Sequence, residues 1–170
     1  EAAEPHSNRG VAIETKISDG HKGGIDEPYI IRRPEIIHGL RNMIQNAVDF
    51  ATSKVWVESS WTKEAINITI SDDGYGYPPN LLGRLGDPFL GAKIGKENRQ
   101  GYEGMGLGLF IAKTLLERTG AKISFSNGHK NQKPSQSQSA PSGAIVDIYW
   151  PRKKVETTSN LFGENQNFSI

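Results

Sequence analysis

The sequence predicts an α+β domain arranged as a two-layer α/β sandwich: a mixed sheet covered on one face by about three helices, with a long loop serving as a lid. Three observations carry this reading. The patterned segments follow the order strand, helix, two strands, long glycine-rich connection, helix, two strands, which stacks the helices on one sheet face. The first helical segment has one apolar side, so it needs a second layer to bury it. The chain of 170 residues, 35% hydrophobic and 23% charged, is long enough for one real core and suggests no second one.

Residues 1–10 are polar and unpatterned and read as a flexible N-terminal remnant, ahead of a domain at 11–151 and a polar tail at 152–170. Residues 11–17 alternate as a short strand at a sheet edge, and 18–27, with Gly20, Gly23 and Gly24, form a loop. A helix should start at Pro34, a residue favoured at the first helical position, and run to about Ala51. Strands at 54–61 and 65–71 are separated by a turn at Thr62-Lys63-Glu64. The segment 72–106 is glycine-rich, with a short helical piece at 79–85; a connection this long is either a functional lid or disordered. A second helix at 107–118 stops at Gly120, a good residue to follow a helix. Strands at 121–126 and 144–150 flank a Ser-, Gln-, Lys- and Pro-rich hairpin insert at 129–142, and the tail carries Phe162 and Phe168 as candidate docking residues.

Composition removes several function classes. A net charge of +1, from 20 basic and 19 acidic residues, supplies no global field for nucleic acid or an anionic membrane. With no cysteine there are no disulfides, thiolate clusters or cysteine nucleophiles. No apolar run is long enough to span a bilayer and no signal peptide opens the chain, which begins at Glu1 and reads as a piece of a longer protein. His6, His21 and His129 sit in polar loops without zinc-ligand spacing, and His38 reads as a structural or orienting residue.

Three segments point to chemistry. In Gly104-Met105-Gly106-Leu107-Gly108-Leu109, alternating glycines lead into an apolar helix, whose free N–H groups and positive dipole end suit a phosphate; a plain connector is the other reading. On the first helix, Ile36, Ile37, Leu40, Met43, Ile44, Ala47 and Val48 form one face, and His38, Asn42, Asn46 and Asp49 the other. Two mid-helix asparagines cost propensity without helping packing, and carboxamide oxygens at successive turns suit Mg²⁺ between phosphates. In the strand ending Ile66-Asn67-Ile68-Thr69-Ile70-Ser71-Asp72, Asp72 continues the parity of the buried face, where a carboxylate is costly unless it meets a donor. The glycines of Asp72-x-Gly74-x-Gly76 clear space beside it, and a buried acceptor next to bare backbone suits the exocyclic amine of adenine; an Asp-capped turn is the bland alternative.

Asn42-x-x-x-Asn46-Ala47, Asp72-x-Gly74-x-Gly76, Asp87-Pro88-Phe89 and Gly104-x-Gly106-Leu107-Gly108-Leu109 occur in this order over 34–150. Together they resemble the N, G1, F and G2 boxes of the catalytic and ATP-binding domain of two-component sensor histidine kinases, a GHKL family with the Bergerat fold shared with gyrase, Hsp90 and MutL ATPases. Residues 46–51, 84–89 and 110–118 are similar to the RegB/PrrB-type redox-responsive kinases. The resemblance implies ATP and Mg²⁺ as cofactors. Asn46 would ligate the metal and Asn42 would sit near the phosphates and the reacting centre. Asp72 would accept from adenine, with Gly74, Gly76 and Tyr77 shaping the pocket. Phe89 would belong to the ATP lid, with Lys93 or Lys96 reaching the phosphates, and Gly104, Met105, Gly106, Leu107, Gly108 and Leu109 would form the phosphate turn. It also implies transfer of the γ-phosphate to a histidine on a separate dimerisation domain, then to a response regulator. The fragment itself would be monomeric and cytoplasmic, its parent a homodimer anchored in the inner membrane.

The chain departs from the family pattern at three places. Asp49 stands where many such kinases place Lys or Arg, removing one phosphate-neutralising contact. Asn42 occupies the position of the general-base Glu of related ATPases, which disfavours hydrolysis by water and favours transfer to another acceptor. His6-Ser7-Asn8-Arg9 lacks the acid and downstream proline of a phosphoacceptor site. A P-loop is excluded by the spacing in 91–97, and a dinucleotide fold by the lack of a βαβ repeat. An anti-sigma-type serine kinase and a non-catalytic ATP-sensing module share the same site and remain the alternatives.

Overall fold

The computed structural model describes residues 2–3, 10–19, 26–88, 105–128 and 141–157. Strands β1 (Ala12–Asp19), β2 (Lys54–Trp61), β3 (Ala65–Asp72), β4 (Lys122–Asn127) and β5 (Ala144–Pro151) form one mixed sheet in the order β1-β2-β3-β5-β4. Only β1 and β2 run parallel, because α1 (Pro34–Phe50) is the one crossover connecting strands that sit side by side; the other neighbours are antiparallel. The second layer is α1 together with α2 (Met105–Arg118), and a one-turn helix α3 (Arg152–Val155) closes the far end.

Helix α1 starts as the sequence dictates, with Pro34 in its first turn after extended Arg33, and buries Ile36, Met43, Ile44, Ala47 and Val48. Full burial of each large aliphatic or Met side chain contributes about 1.5–3 kcal/mol, so this stripe is enough to hold the helix to the sheet. Gly39 is buried in the same face and touches α2: a Cβ there would lie 2.5 Å from Leu116 Cγ and 2.7 Å from Cδ2. The two helices therefore approach at a point where α1 has no side chain. Helix α2 ends in a Schellman motif, with Gly120 at φ +91° donating to Glu117 O and Ala121 donating to Leu116 O, so the chain reverses directly into β4. Buried Thr119 accepts from Trp150 Nε1 at 2.9 Å and donates to Leu116 O at 2.6 Å, tying that helix end to β5.

Four expectations change. Helix α2 begins at Met105 rather than Leu107, so Gly106 and Gly108 are helical rather than part of a preceding turn. The piece expected at 79–85 is a turn tightened into a 3₁₀ segment at Leu82–Arg84, too short to bury a face. The start of the segment expected as a polar tail belongs to the folded unit: Val155 is buried, Ile31 N donates to Val155 O, Thr157 N donates to Tyr29 O, and the Arg152 guanidinium donates to Thr62 O and Asp26 O while pairing with Glu156 at 2.7 Å. One arginine thus fastens three chain segments. At the other end, Ala2 and Ala3 pack against the core, so the N-terminal remnant is anchored at its start. Residues 129–140 of the expected insert and the tail beyond 157 lie outside the described residues.

Gly39→Ala should lower the melting temperature by an amount equivalent to about 1–2 kcal/mol, although alanine is intrinsically the better helix former by about 1 kcal/mol. In a Leu116→Ala background the penalty should vanish, because the colliding side chain is gone; thermal unfolding of the four proteins of this double-mutant cycle measures it.

Candidate functional site

Strand β3 delivers Asp72 at its last position, on the face shared with Ile66, Ile68 and Ile70, and the residue is 2% exposed. Burial pushes its carboxyl up, the N–H groups of Gly74 and Ala144 act against that, and the charge of Asp73 adds to the rise. Both donors, at 2.8 and 3.1 Å, end on Oδ1. Among the described residues nothing donates to Oδ2, which leaves one oxygen of this buried residue for another partner.

The glycines around this carboxylate are there for space. A Cβ on Gly74 would collide with Phe50 O, and one on Gly143 would collide with Asp72 Oδ1. Gly143 also donates to Asp72 O at 2.9 Å and accepts from Gly128 N at 2.8 Å, so the roots of the β4–β5 connection wrap the acid. Gly143 escaped the sequence reading because nothing in its neighbours marks it; only the register of β5 against β3 brings it to Asp72. The contact of Gly74 with Phe50 O also sets this end of β3 one helical turn from Asn46.

Asp73, one residue on, faces the other way and does different work. Its carboxylate accepts from the backbone N–H of Thr52, Ser53 and Lys54 at 2.9–3.0 Å and from the Ser53 hydroxyl at 2.6 Å. Desolvation raises its carboxyl, but these four donors outweigh it and hold the group below the usual carboxylate value. The pair fastens the start of β2 to the end of β3, next to the buried acid.

Gly76 adopts φ +78° and brings Tyr77 under β4. There the Asn127 carboxamide pairs with Tyr77 in both directions: Tyr77 N donates to Oδ1 at 2.6 Å, and Nδ2 donates to Tyr77 O at 2.8 Å. The Tyr77 ring is buried and meets Phe125 edge-on, with centroids 5.8 Å apart. Burial, and then the charge of Asp72, push its phenol far up, so it stays protonated at any ordinary pH. Asn127 was not among the sequence candidates; its only signal is the parity of β4, which places it on the inner face with Ile123 and Phe125.

The other predicted groups divide by element. Asn42 and Asn46 are half-buried along α1, and among the described residues no group hydrogen-bonds either carboxamide. His38 and Asp49 are exposed, and Asp49 accepts from Gln45 Nε2 at 2.6 Å. Met105, Gly106, Leu107 and Gly108 open α2, and the N–H groups of Met105, Gly106 and Leu107 are among those an α-helix leaves unpaired. Among the described residues a Cβ on Gly108 would meet nothing within 4 Å, and Leu107 is exposed while Leu109 anchors the turn in the core. No described neighbour and no positive φ therefore requires glycine at 108, where it costs the helix about 1 kcal/mol. Phe89, Lys93, Lys96 and Gly104 lie outside the described residues.

Known proteins resemble this chain in sequence and in fold. Residues 32–154 match the family described as histidine kinase-, DNA gyrase B-, and HSP90-like ATPase. The chain is 52% identical over 169 residues to the sensor histidine kinase RegB of Cereibacter sphaeroides, covering 97% of this chain and 37% of that protein. It is 35% identical over 107 residues to the histidine protein kinase SaeS of Staphylococcus aureus, covering 61% of this chain and 30% of that one. Among solved structures, the mycobacterial sensor histidine kinase MprB aligns with a TM-score of 0.63 at 19% identity, over 92% of this chain and 91% of that chain. Full-length ShkA in complex with AMPPNP aligns at 0.62 and 21% identity, over 92% of this chain and 29% of that chain. Both likenesses are of fold, a Bergerat-type sandwich as expected from the sequence. The chain spans little more than a third, 37%, of the length of the RegB proteins it matches.

The two neighbouring acids should respond oppositely to pH. The lowered carboxyl of Asp73 contributes stability that is complete above its ordinary value of 3.8 and is lost as pH falls through the folded value. Asp73→Ala should therefore cost about 1 kcal/mol at neutral pH, a gap that closes in acid. The raised carboxyl of Asp72 means that its ionisation opposes folding, so its contribution is fully present below 3.8 and is lost as pH rises through the folded value. Asp72→Asn should leave neutral-pH stability unchanged or higher. Urea unfolding of both variants from neutral to acid pH measures the two signs.

Proposed function

We infer the activity from one premise: this chain belongs to the histidine kinase-, DNA gyrase B-, and HSP90-like ATPase family. The reading that follows is that it binds Mg·ATP and donates the γ-phosphate to a histidine on a separate helical domain of a longer sensor kinase. The observation that carries it is Asp72, a buried carboxylate with one oxygen committed to backbone N–H groups and the other open, beside a loop with no side chains at 74 and 76. In this proposal Oδ2 accepts from the adenine amine, and Gly74, Gly76 and Tyr77 form the flat slot that holds the ring.

The free N–H groups at the start of α2, Met105 to Leu107, with Gly108 leaving room and Leu109 fixing the turn, would receive phosphate oxygens at the positive end of the helix. The space beside Gly108 among the described residues supports this, since a close ligand would give a reason for the glycine. Asn46 offers a carboxamide oxygen that has no partner among the described residues, a ligand type that Mg²⁺ accepts. Among the described residues no group of three acidic or histidine side chains could hold a metal alone, so the ion would be shared with the phosphates and water. Bound there, it supplies charge neutralisation for phosphoryl transfer. Asn42 sits near the reacting phosphate in this arrangement, and being an amide it cannot take a proton from water, which favours transfer over hydrolysis. Phe89 and Lys93 or Lys96 are proposed as lid residues, Gly104 as the entry to the phosphate turn.

The partners that go with this activity are a histidine-bearing dimerisation domain and a response regulator, in a cytoplasmic arrangement beneath a membrane-anchored, dimeric parent. No helix among the described residues is long and apolar enough to cross a membrane. The catalytic unit is proposed to run from 11 to at least 157, the end of the α3 contacts.

Calorimetric titration with ATP and Mg²⁺ tests the site directly. Asp72→Asn should weaken binding more than tenfold, equivalent to more than about 1.4 kcal/mol, because it turns an amide donor toward the adenine donor; unchanged affinity would refute the base assignment. Asn46→Ala should abolish the magnesium dependence of binding. Label transfer from ATP to a histidine-bearing helical hairpin supplied in trans tests the acceptor class, and transfer to a serine-bearing antagonist instead would identify an anti-sigma-type kinase.

A further inference from the structure

We propose that Asn127 is a positioning residue for the nucleotide pocket: its carboxamide clamps the Tyr77 backbone and so holds the Gly76–Tyr77 stretch in register with Asp72. The proposal deepens the ATP-binding reading and rests on it. The loop from Asp72 to Tyr77 carries the groups assigned to the base, yet its middle, Tyr75 and Gly76, is weakly held. Tyr75 is 86% exposed, and among the described residues Tyr75 and Gly76 make no hydrogen bond of their own. The loop is secured at its start by Asp72, Asp73 and Gly74, and at its end by the two hydrogen bonds between Asn127 and Tyr77.

A side-chain carboxamide has the donor and acceptor of a peptide group, so Asn127, the last residue of β4, pairs through its side chain with the Tyr77 backbone while its own backbone stays in the sheet. The fit is close: a Cβ at Gly76 would lie 2.7 Å from Asn127 Oδ1, so the loop comes this near only because residue 76 has no side chain. Phe125, two residues back on the same face of β4, braces the Tyr77 ring. The residue after the clamp, Gly128, donates to Gly143 O, and Gly143 donates to Asp72 O. Both ends of the 72–77 loop are thereby referenced to the same β4–β5 root, which fixes their separation.

The test compares the 170-residue chain with Asn127→Ala and Asn127→Asp, using Mg·ATP and Mg·ADP titrations and transfer in trans to a histidine hairpin. Loss of two hydrogen bonds at the pocket predicts roughly tenfold weaker binding for Asn127→Ala, seen as a raised KM with kcat kept within about twofold. Asn127→Asp supplies the decisive readout. As a carboxylate it repels Tyr77 O, but once protonated it again presents one donor and one acceptor, so its affinity should recover toward the parent as pH falls. Asp72 titrates beside it, and the pH profiles of the parent and of Asn127→Ala subtract that contribution. Unchanged affinity in a folded Asn127→Ala, or an Asn127→Asp profile that parallels Asn127→Ala, overturns the proposal while leaving ATP binding intact. A parent chain that binds no adenine nucleotide overturns the ATP reading and this inference together.

Discussion

Burying the Asp72 carboxylate at the end of a central strand constrains everything around it. A charge removed from water must be met by donors, and here the donors are the backbone N–H groups of Gly74 and Ala144, one from the loop that follows β3 and one from the first residue of β5. Meeting that demand fixes where β5 begins, requires a residue without a side chain at 143, and brings the end of α1 against Gly74. Among the described residues the donors reach only one oxygen. Burial raises the carboxyl, and in the proposed nucleotide site the other oxygen would accept from a hydrogen-bond-donating ligand.

The second acid shows how strand alternation separates binding from stability. Asp72 and Asp73 are adjacent in the chain, but the pleat turns them to opposite faces. Asp73 is fully engaged with Thr52, Ser53 and Lys54 and its ionised form is favoured; Asp72 is buried and its ionised form is penalised. The fold therefore anchors the end of β3 with one carboxylate while leaving its neighbour available. This arrangement places a destabilised group at the proposed site and a stabilising one directly behind it, a division that fits a competition between function and stability.

The helical layer follows a comparable logic. Helices α1 and α2 meet at Gly39 and Leu116, a seam that depends on a missing side chain, whereas Gly108 at the other end of α2 has nothing opposite it among the described residues. The first glycine is explained by packing inside the fold. No described neighbour explains the second, which stands in the first turn of a helix whose leading N–H groups have no partner within the helix.

Much of this was legible in the chain. The period of the apolar residues identified α1 and every strand to within about two residues, and the parity of Ile66, Ile68 and Ile70 placed Asp72 on the buried face, because periodicity is a local property that one segment carries by itself. The glycine spacings and the paired asparagines likewise marked the candidate site, since each motif is complete within a few residues. What the chain alone did not reveal were relations between distant segments: Gly143 against Asp72, Asn127 against Tyr77, Gly39 against Leu116, and Arg152 gathering Thr62, Asp26 and Glu156. Each of those depends on strand register or helix approach across dozens of residues. Such contacts are selected by the packing of the whole sheet and its helices, and no local pattern encodes them.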